Sequence, residues 1–268
     1  MIVSLVQCRV YADKDRNLMT ARQAFEKAKQ GKADLLVFPE IFMHAVHGLS
    51  NADRWRIAES LEGPFVRTMS QWAQESGIWT VFGIFERPLT ADSAHRVHNT
   101  VAIIDHHGTL VDSYRKTHLY DAFGVRESEV FLPGEKLPQP ITTPFGRIGV
   151  AVCYELRFPE VARHLALQGI HLMVIPAAWY SGPWKEHQWL TLLTARAVEN
   201  TIYTAGVNQV GPPFTGGSVV VDPMGIAVAQ ASEDEAFLSV ELDLSRISRV
   251  REQLPCIKQT RPELYLNR

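Results

Sequence analysis

Apolar positions along this chain fall into short runs cut by polar turns, and the runs alternate between two periods. Residues 2–7, 34–38, 78–84, 99–105 and 109–115 are β-branched and aromatic stretches of strand length. The second half repeats the pattern at 147–152, 171–175, 202–207 and 217–221. Between these runs the spacing becomes helical. Leu18, Ala21, Phe25 and Ala28 share one face of a helix predicted over about 15–29. Phe65, Met69, Trp72 and Ala73 do the same over about 64–75, and further helices are predicted near 159–168 and 185–198. DHHG at 105–108 and DPMG at 222–225 read as turns that send the chain back on itself. Strands alternating with helices and closing in hairpins predict an α/β fold with mixed sheets and helices outside.

The two halves echo one another. IVSLVQC (2–8) resembles the stretch around Cys153, ADLLVFPEIF (33–42) resembles IHLMVIPAAW (170–179), and SGIWTVFGI (76–84) resembles ENTIYTAGV (199–207). HNTVAIIDHHGTLVDS (98–113) resembles TGGSVVVDPMGIAVAQ (215–230). The pairs keep their order while their offset shrinks from Cys8–Cys153 through Pro39–Pro176 and Thr80–Thr204 to Asp105–Asp222. Four ordered pairs argue for two similar halves, the second more compact. Two such halves, stacked sheet on sheet, give four layers, α-β-β-α. No Pro/Gly/Ser-rich linker or low-complexity stretch interrupts the chain, so residues 1–268 are expected to form one domain.

Composition narrows the class. The chain has 268 residues, 46% of them apolar, and a net charge of −2. That balance gives no reason to expect nucleic acid or an anionic membrane as partner. Its three cysteines, Cys8, Cys153 and Cys256, form no close pair, which argues against a disulfide framework and for a reducing cytoplasm. MIVSLVQC reads as a strand and lacks the basic start of a signal peptide, and no apolar run approaches the length of a membrane span.

Three reactive residues stand just past strand ends: Glu40 after 34–38, Lys116 after 109–115 and Cys153 after 147–152. Ligand sites in α/β sheets gather at that rim. A thiol needs a base to become the nucleophile, a carboxylate can be that base, and an ammonium can hold the oxyanion that forms when the nucleophile adds to a carbonyl. The backbone N–H of Tyr154, next after the thiol, is a natural second oxyanion donor. Against this stands the ordinary behaviour of these residue types. A glutamate or lysine after a strand is usually solvated, and a lone cysteine is usually an inert small hydrophobe.

The motifs around the three residues tip the balance. FPE (38–40), YRKTHLYD (114–121) and CYELRFPE (153–160), with AAW (177–179) and the LPCIKQTRPELY tail (254–265), resemble the nitrilase superfamily of carbon–nitrogen hydrolases over almost the whole chain. The resemblance implies an αββα sandwich of two similar halves, which agrees with the internal echo. It implies Glu40 as general base, Lys116 as oxyanion stabiliser and Cys153 as nucleophile. It also implies a second glutamate before a Pro-Gly turn. VRESEVFLPGE offers Glu127, favoured by the pattern, with Glu129 and Glu155 as competing choices taken to be surface or supporting residues.

Within the superfamily the chain most resembles the Nit branch, and HLYDAF (118–123), LRFPE (156–160) and GPWKEHQW (182–189) look more like bacterial deaminated glutathione amidases than like ω-amidases of the α-ketoglutaramate type. That branch hydrolyses ω-amides of 2-oxo acids or deaminated glutathione. The implied chemistry is attack of the thiol on an amide, release of ammonia and hydrolysis of a thioester, without metal or organic cofactor. Either substrate class carries carboxylate, so the pocket needs a cation. Arg157 is the candidate, with a structural pairing to Glu160 or a helix as the rival reading. Trp179 and Tyr120 are candidates for the pocket wall. Arg196 and Glu199 read as a structural network. His95, His98, His106 and His107 read as solvated loop and turn residues, while His118 and His187 could line a pocket. A carbamoyl amidase and a catalytically silent interaction scaffold remain as alternatives, and the resemblance implies a homodimer.

Overall fold

The computed structural model describes residues 1–90 and 93–264. Tyr265, the last residue of the tail motif, lies outside the described residues. The first half runs β1 (Ile2–Gln7), α1 (Lys14–Gln30), β2 (Leu35–Val37), α2 (Asn51–Ile57), α3 (Pro64–Ser76), β3 (Trp79–Glu86), β4 (Val97–Ile104) and β5 (Leu110–Arg115). After the short β6 (Phe131–Leu132) come β7 (Ile141–Thr143), β8 (Gly146–Val150), α4 (Pro159–Leu167), β9 (Leu172–Ala177), α5 (Lys185–Asn200) and β10 (Tyr203–Asn208). β11 (Val219–Val221), β12 (Ala227–Gln230), β13 (Ala236–Glu241) and α6 (Ser245–Gln253) close the chain.

Two sheets form. One has the order β13-β1-β2-β3-β4-β5 with β6 beside β4, and the other β12-β11-β10-β9-β8-β7. In the first, β1, β2 and β3 are parallel, and β4 and β5 follow antiparallel. In the second, β8, β9 and β10 are parallel, and β11 and β12 follow antiparallel. The internal echo is thus a repeated five-strand unit. Its matched turns use the same device: Asp105 Oδ1 accepts from the N–H groups of His107 and Thr109, and Asp222 Oδ1 from those of Met224 and Ile226.

Strand alternation sorts the core. Val3, Leu5, Leu35, Val37, Val81, Val101 and Ile103 face the second sheet and pack with β8, β9 and β10. Val6, Leu36, Phe82, Ile84, Ala102 and Ile104 face the other way and pack against Ala21, Phe25 and Ala28 of α1 and Phe65, Met69 and Ala73 of α3. Both faces of β1 to β4 are therefore buried, and the layers read α-β-β-α. Sequence supplies the helix ends. The Asp13 side chain accepts from the first-turn N–H groups of α1, while α3 starts on Pro64 and stops at the left-handed Gly77.

Several elements escape the sequence pattern. α2 buries only Arg54, and β13 is half exposed, so neither carries a clear apolar period. β13 also leaves its own half and pairs antiparallel with β1, Ile2 opposite Glu241. Together with the bridge between Cys8 and Gln209, it ties the two halves together.

Candidate active site

Glu40 follows β2 in a segment held close to β3. Phe38 N–H donates to Val81 O at 2.8 Å and Met43 N–H to Gly83 O at 3.1 Å. Gly83 must be glycine, since a Cβ there would stand 2.2 Å from the Ile41 nitrogen. Ile41 itself adopts a left-handed φ of 50°. From the second half, Gln209 Nε2 donates to Glu40 O at 2.7 Å.

Lys116 follows β5. Its N–H donates to Asn99 O at 2.9 Å, and Gly134 N–H donates to Lys116 O at 2.8 Å. The Gly134 backbone passes so close that a Cβ would meet Arg115 O at 2.2 Å, which explains the Pro-Gly turn in the motif.

Cys153 follows β8 at a φ of 43°, a left-handed conformation rare for a residue with a side chain. It opens a 3₁₀ turn, Cys153–Arg157, that leads into α4. The turn's first backbone bond runs from Glu155 N–H to Val152 O at 2.9 Å, so the Tyr154 N–H precedes it and is not consumed by the turn.

These strand ends converge. Lys116 Nζ lies 2.9 Å from Glu40 Oε1 and 2.9 and 3.1 Å from the two oxygens of Glu127. Glu40 Oε1 also accepts from Asn99 Nδ2 at 2.7 Å, and Glu40 Oε2 from Ala178 N–H at 2.7 Å. Glu127 Oε2 accepts from Tyr120 N–H at 2.5 Å. All three charged side chains are buried. They line one cavity of about 280 Å³ together with Cys153, Tyr154, Arg157, Trp179, Tyr180, Tyr120 and Lys185.

Electrostatics follow from this crowding. Burial pulls the Lys116 ammonium down, but the carboxylates of Glu127 and Glu40 outweigh it and hold its pKa well above the usual lysine value. Burial, with help from Glu40, pushes the Glu127 carboxyl up against the pull of Lys116. The Cys153 thiol is pushed well up by burial and by the Glu40 carboxylate, more than Lys116 and the Ala178 N–H pull it down. A thiol so held needs a base before it can act as a nucleophile. A carboxylate, an ammonium and a thiol arranged this way can pass a proton, hold an oxyanion and form a covalent acyl bond.

The other predicted residues divide. Trp179 and Tyr120 are buried in the cavity wall. Arg157 also lines the cavity, with its guanidinium 4.8 Å from the Trp179 ring centroid. It bonds Gln188 of α5 at 2.8 Å rather than Glu160, and its buried Nε has no partner. Glu129 is exposed beside Arg126. Glu155 is neither surface nor part of the cavity. It is fully buried and accepts from Tyr114 O–H, Thr117 N–H and Oγ1, and Val152 N–H. His118 stacks on Phe158 and His187 is exposed, so neither lines the cavity. Arg196 pairs with Glu199 at 3.0 Å and holds Leu156 O, a structural network. Among the described residues, no group of three or more His, Cys, Asp or Glu side chains is placed to hold a metal, and no helix is long and apolar enough to cross a membrane.

Sequence reasoning passed over Asn99 and Lys185. Asn99 sits within an apolar strand, where a lone buried amide is the available signal. Lys185 lies in GPWKEHQW, where nothing local separates a buried lysine from a solvated one.

Comparison with known proteins adds to this geometry. The model of the carbon–nitrogen hydrolase family matches residues 2–252. The chain is 34% identical to the deaminated glutathione amidase of Bos taurus, covering 99% of this chain and 84% of that one. It is 33% identical to the omega-amidase NIT2-A of Xenopus laevis, covering 98% and 96%. Among solved structures, a mutant of the amidase from Nesterenkonia sp. AN1 superposes with a TM-score of 0.82 at 27% identity, covering 100% and 96%. That structure shows covalent addition of the acetamide moiety of fluoroacetamide at its active-site cysteine.

Proposed function

This chain belongs to the carbon–nitrogen hydrolase family and is an amidase, and on that premise we propose that it hydrolyses the ω-amide of a 2-oxo acid, with deaminated glutathione the preferred substrate. The observation that carries the reading is the Lys116 ammonium held between Glu40 and Glu127 in the cavity that Cys153 lines. The near-equal identities to a deaminated glutathione amidase and an omega-amidase support the substrate class, and the preference for deaminated glutathione rests on the HLYDAF, LRFPE and GPWKEHQW stretches.

Glu40 takes the Cys153 proton as Sγ attacks the amide carbon. The oxyanion forms against Lys116 Nζ–H and the Tyr154 N–H. As the tetrahedral species collapses, the C–N bond breaks and the nitrogen leaves with the proton from Glu40, giving a thioester. Glu40 then deprotonates a water that attacks the thioester, and expulsion of Sγ, reprotonated from Glu40, frees the acid. Glu127 orients Lys116 throughout. Arg157, with an unpartnered Nε beside Trp179, supports binding of a carboxylate.

The scissile amide decides the leaving group. A primary amide such as α-ketoglutaramate releases ammonia. In deaminated glutathione the nitrogen belongs to cysteinylglycine, so that dipeptide leaves instead. The expectation of ammonia thus narrows to primary amides. A carbamoyl amidase is the second reading, since it needs the same three groups.

The same proposal takes residues 1–268 as one hydrolase domain acting as a homodimer. Exposed Val198 of α5, which lies against Gly225, and Met224 and Ile226 of the same β11–β12 turn support a covered face. A cytoplasmic setting is supported by three free cysteines.

The test measures cysteinylglycine and ammonia separately from deaminated glutathione, α-ketoglutaramate, carbamoylputrescine and a neutral aliphatic amide. Wild-type protein should favour deaminated glutathione, and Cys153→Ala should lose about 10⁴-fold or more in turnover while staying folded. Preference for the carbamoyl substrate would overturn the substrate reading, and an active Cys153→Ala would overturn the nucleophile.

A further inference from the structure

Lys185, the first residue of α5, is 6% exposed, yet no carboxylate lies within ion-pair distance of it among the described residues. Its Nζ makes one hydrogen bond, to Tyr120 O–H at 3.1 Å, and two of its three N–H donors are left over. Aromatic rings surround it: Phe123 at 4.1 Å, Tyr120 at 5.3 Å and Trp179 at 5.8 Å to their centroids. Arg157 lies over the same Trp179 ring at 4.8 Å, with a buried Nε that donates to nothing. Both cations line the cavity of Cys153.

Two cations sharing one aromatic wall repel each other, and burial adds a desolvation cost. Both effects appear at Lys185, whose pKa is lowered by burial first and by Arg157 second. An anion set between them would remove both penalties at once. The cavity has two further arginines: Arg126 is exposed beside Glu129, and Arg54, whose buried Nε also lacks a partner, is held by its terminal nitrogens. The Arg54 guanidinium donates to Asn51 Oδ1 and to the carbonyls of Val46 and Leu49, so it braces the wall.

We propose that Lys185 and Arg157 together form a carboxylate subsite for the acyl half of the substrate, the 2-oxo acid end that stays on Cys153 through both chemical steps. This rests on the 2-oxo acid amide reading above. The position of the box supports the acyl half. Arg157 ends the same 3₁₀ turn that Cys153 begins, and the Trp179 indole N–H donates to Lys185 O at 3.0 Å. The residue before Trp179, Ala178, donates its N–H to Glu40. The subsite is thus tied to the turn that carries the nucleophile and to a segment that hydrogen-bonds the base, and it fixes the acyl group where a thioester must meet water.

The experiment titrates 2-oxoglutarate, the acyl-half product, and separately cysteinylglycine, into wild-type, Lys185→Met and Lys185→Arg proteins by calorimetry. Steady-state rates with α-ketoglutaramate and a neutral aliphatic amide accompany the titrations. Lys185→Met should weaken 2-oxoglutarate binding and raise KM for α-ketoglutaramate by about 10- to 100-fold. Cysteinylglycine binding and the rate with the neutral amide should fall far less than the 2-oxo acid readouts, and Lys185→Arg should restore most of the loss because its charge persists. Equal losses on charged and neutral ligands, no loss at all, or a loss confined to cysteinylglycine would each overturn the subsite. A wild-type protein that binds 2-oxoglutarate but hydrolyses only neutral amides would instead overturn the substrate reading and leave the subsite standing.

Discussion

Glu127 and Glu155 are both buried carboxylates, reached from neighbouring residues of one segment, and their chemistry points in opposite directions. Lys116 sends its ammonium to Glu127, while the next residue, Thr117, donates both N–H and hydroxyl to Glu155. Around Glu127 the pKa is raised by burial first, with the Glu40 carboxylate adding to it. Around Glu155 burial pushes up as well, but hydrogen bonds from His118, Tyr114, Thr117 and the Val152 N–H overcome it and hold the carboxyl below the usual range. One carboxylate sits in a cluster of few donors and competing charges, open to a cavity. The other is saturated by hydrogen-bond donors and shut away from it. A buried carboxylate that serves architecture is the one whose hydrogen-bond donors outweigh its burial.

That contrast can be broken most directly in the charged cluster. Glu40→Gln should lower kcat by about 10²- to 10⁴-fold while the urea midpoint stays put, because the amide keeps most of the packing. A variant that loses stability as steeply as activity would erase the distinction between the two clusters.

In the saturated cluster the balance should invert. Glu155→Leu leaves Tyr114 O–H, Thr117 and the Val152 N–H without their acceptor in the interior, so stability should fall by about 3–5 kcal/mol in urea denaturation. The sign with pH is fixed as well. The folded-state pKa of Glu155 is depressed, so its stabilisation is present above the ordinary glutamate pKa of about 4.3 and lost as pH falls through the folded value. Glu155→Gln should flatten the acid limb of the stability curve. An unchanged limb would mean that the hydrogen bonds to Glu155 do not favour its ionised form.

Asn99 offers the smallest and sharpest test. Its Nδ2 donates to Glu40 Oε1 at 2.7 Å and lies 3.4 Å from Glu127 Oε1, a neutral donor shared by the two carboxylates. Asn99→Asp places a third carboxyl in the cluster, so the acid limb of kcat/KM should move to higher pH by about one unit. Asn99→Ala should lower the rate without that shift. Identical profiles for both variants would make Asn99 a packing residue and no positioning residue.

Much of this protein was legible along the chain, for a local reason. Period-two and helical patterns report which face of an element is buried, so β1 to β5, β8 to β11 and four helices were readable within a residue or two. The ordered echoes reported that the strand sequence repeats. Glu40, Lys116 and Cys153 stood out because each follows an apolar strand and lies in a motif. The remainder depends on pairs far apart in sequence. β13 completes the sheet of the other half through β1, and its half-exposed pattern names no partner. Glu127 rather than Glu129 or Glu155 meets Lys116, since the three differ only in which way a turn directs them. Lys185 and Arg157 come together on one tryptophan from separate helical elements, and a buried lysine has the same letter as a solvated one. Local sequence carries burial and period; the meeting of charges belongs to the folded chain, because electrostatic environment depends on neighbours in space.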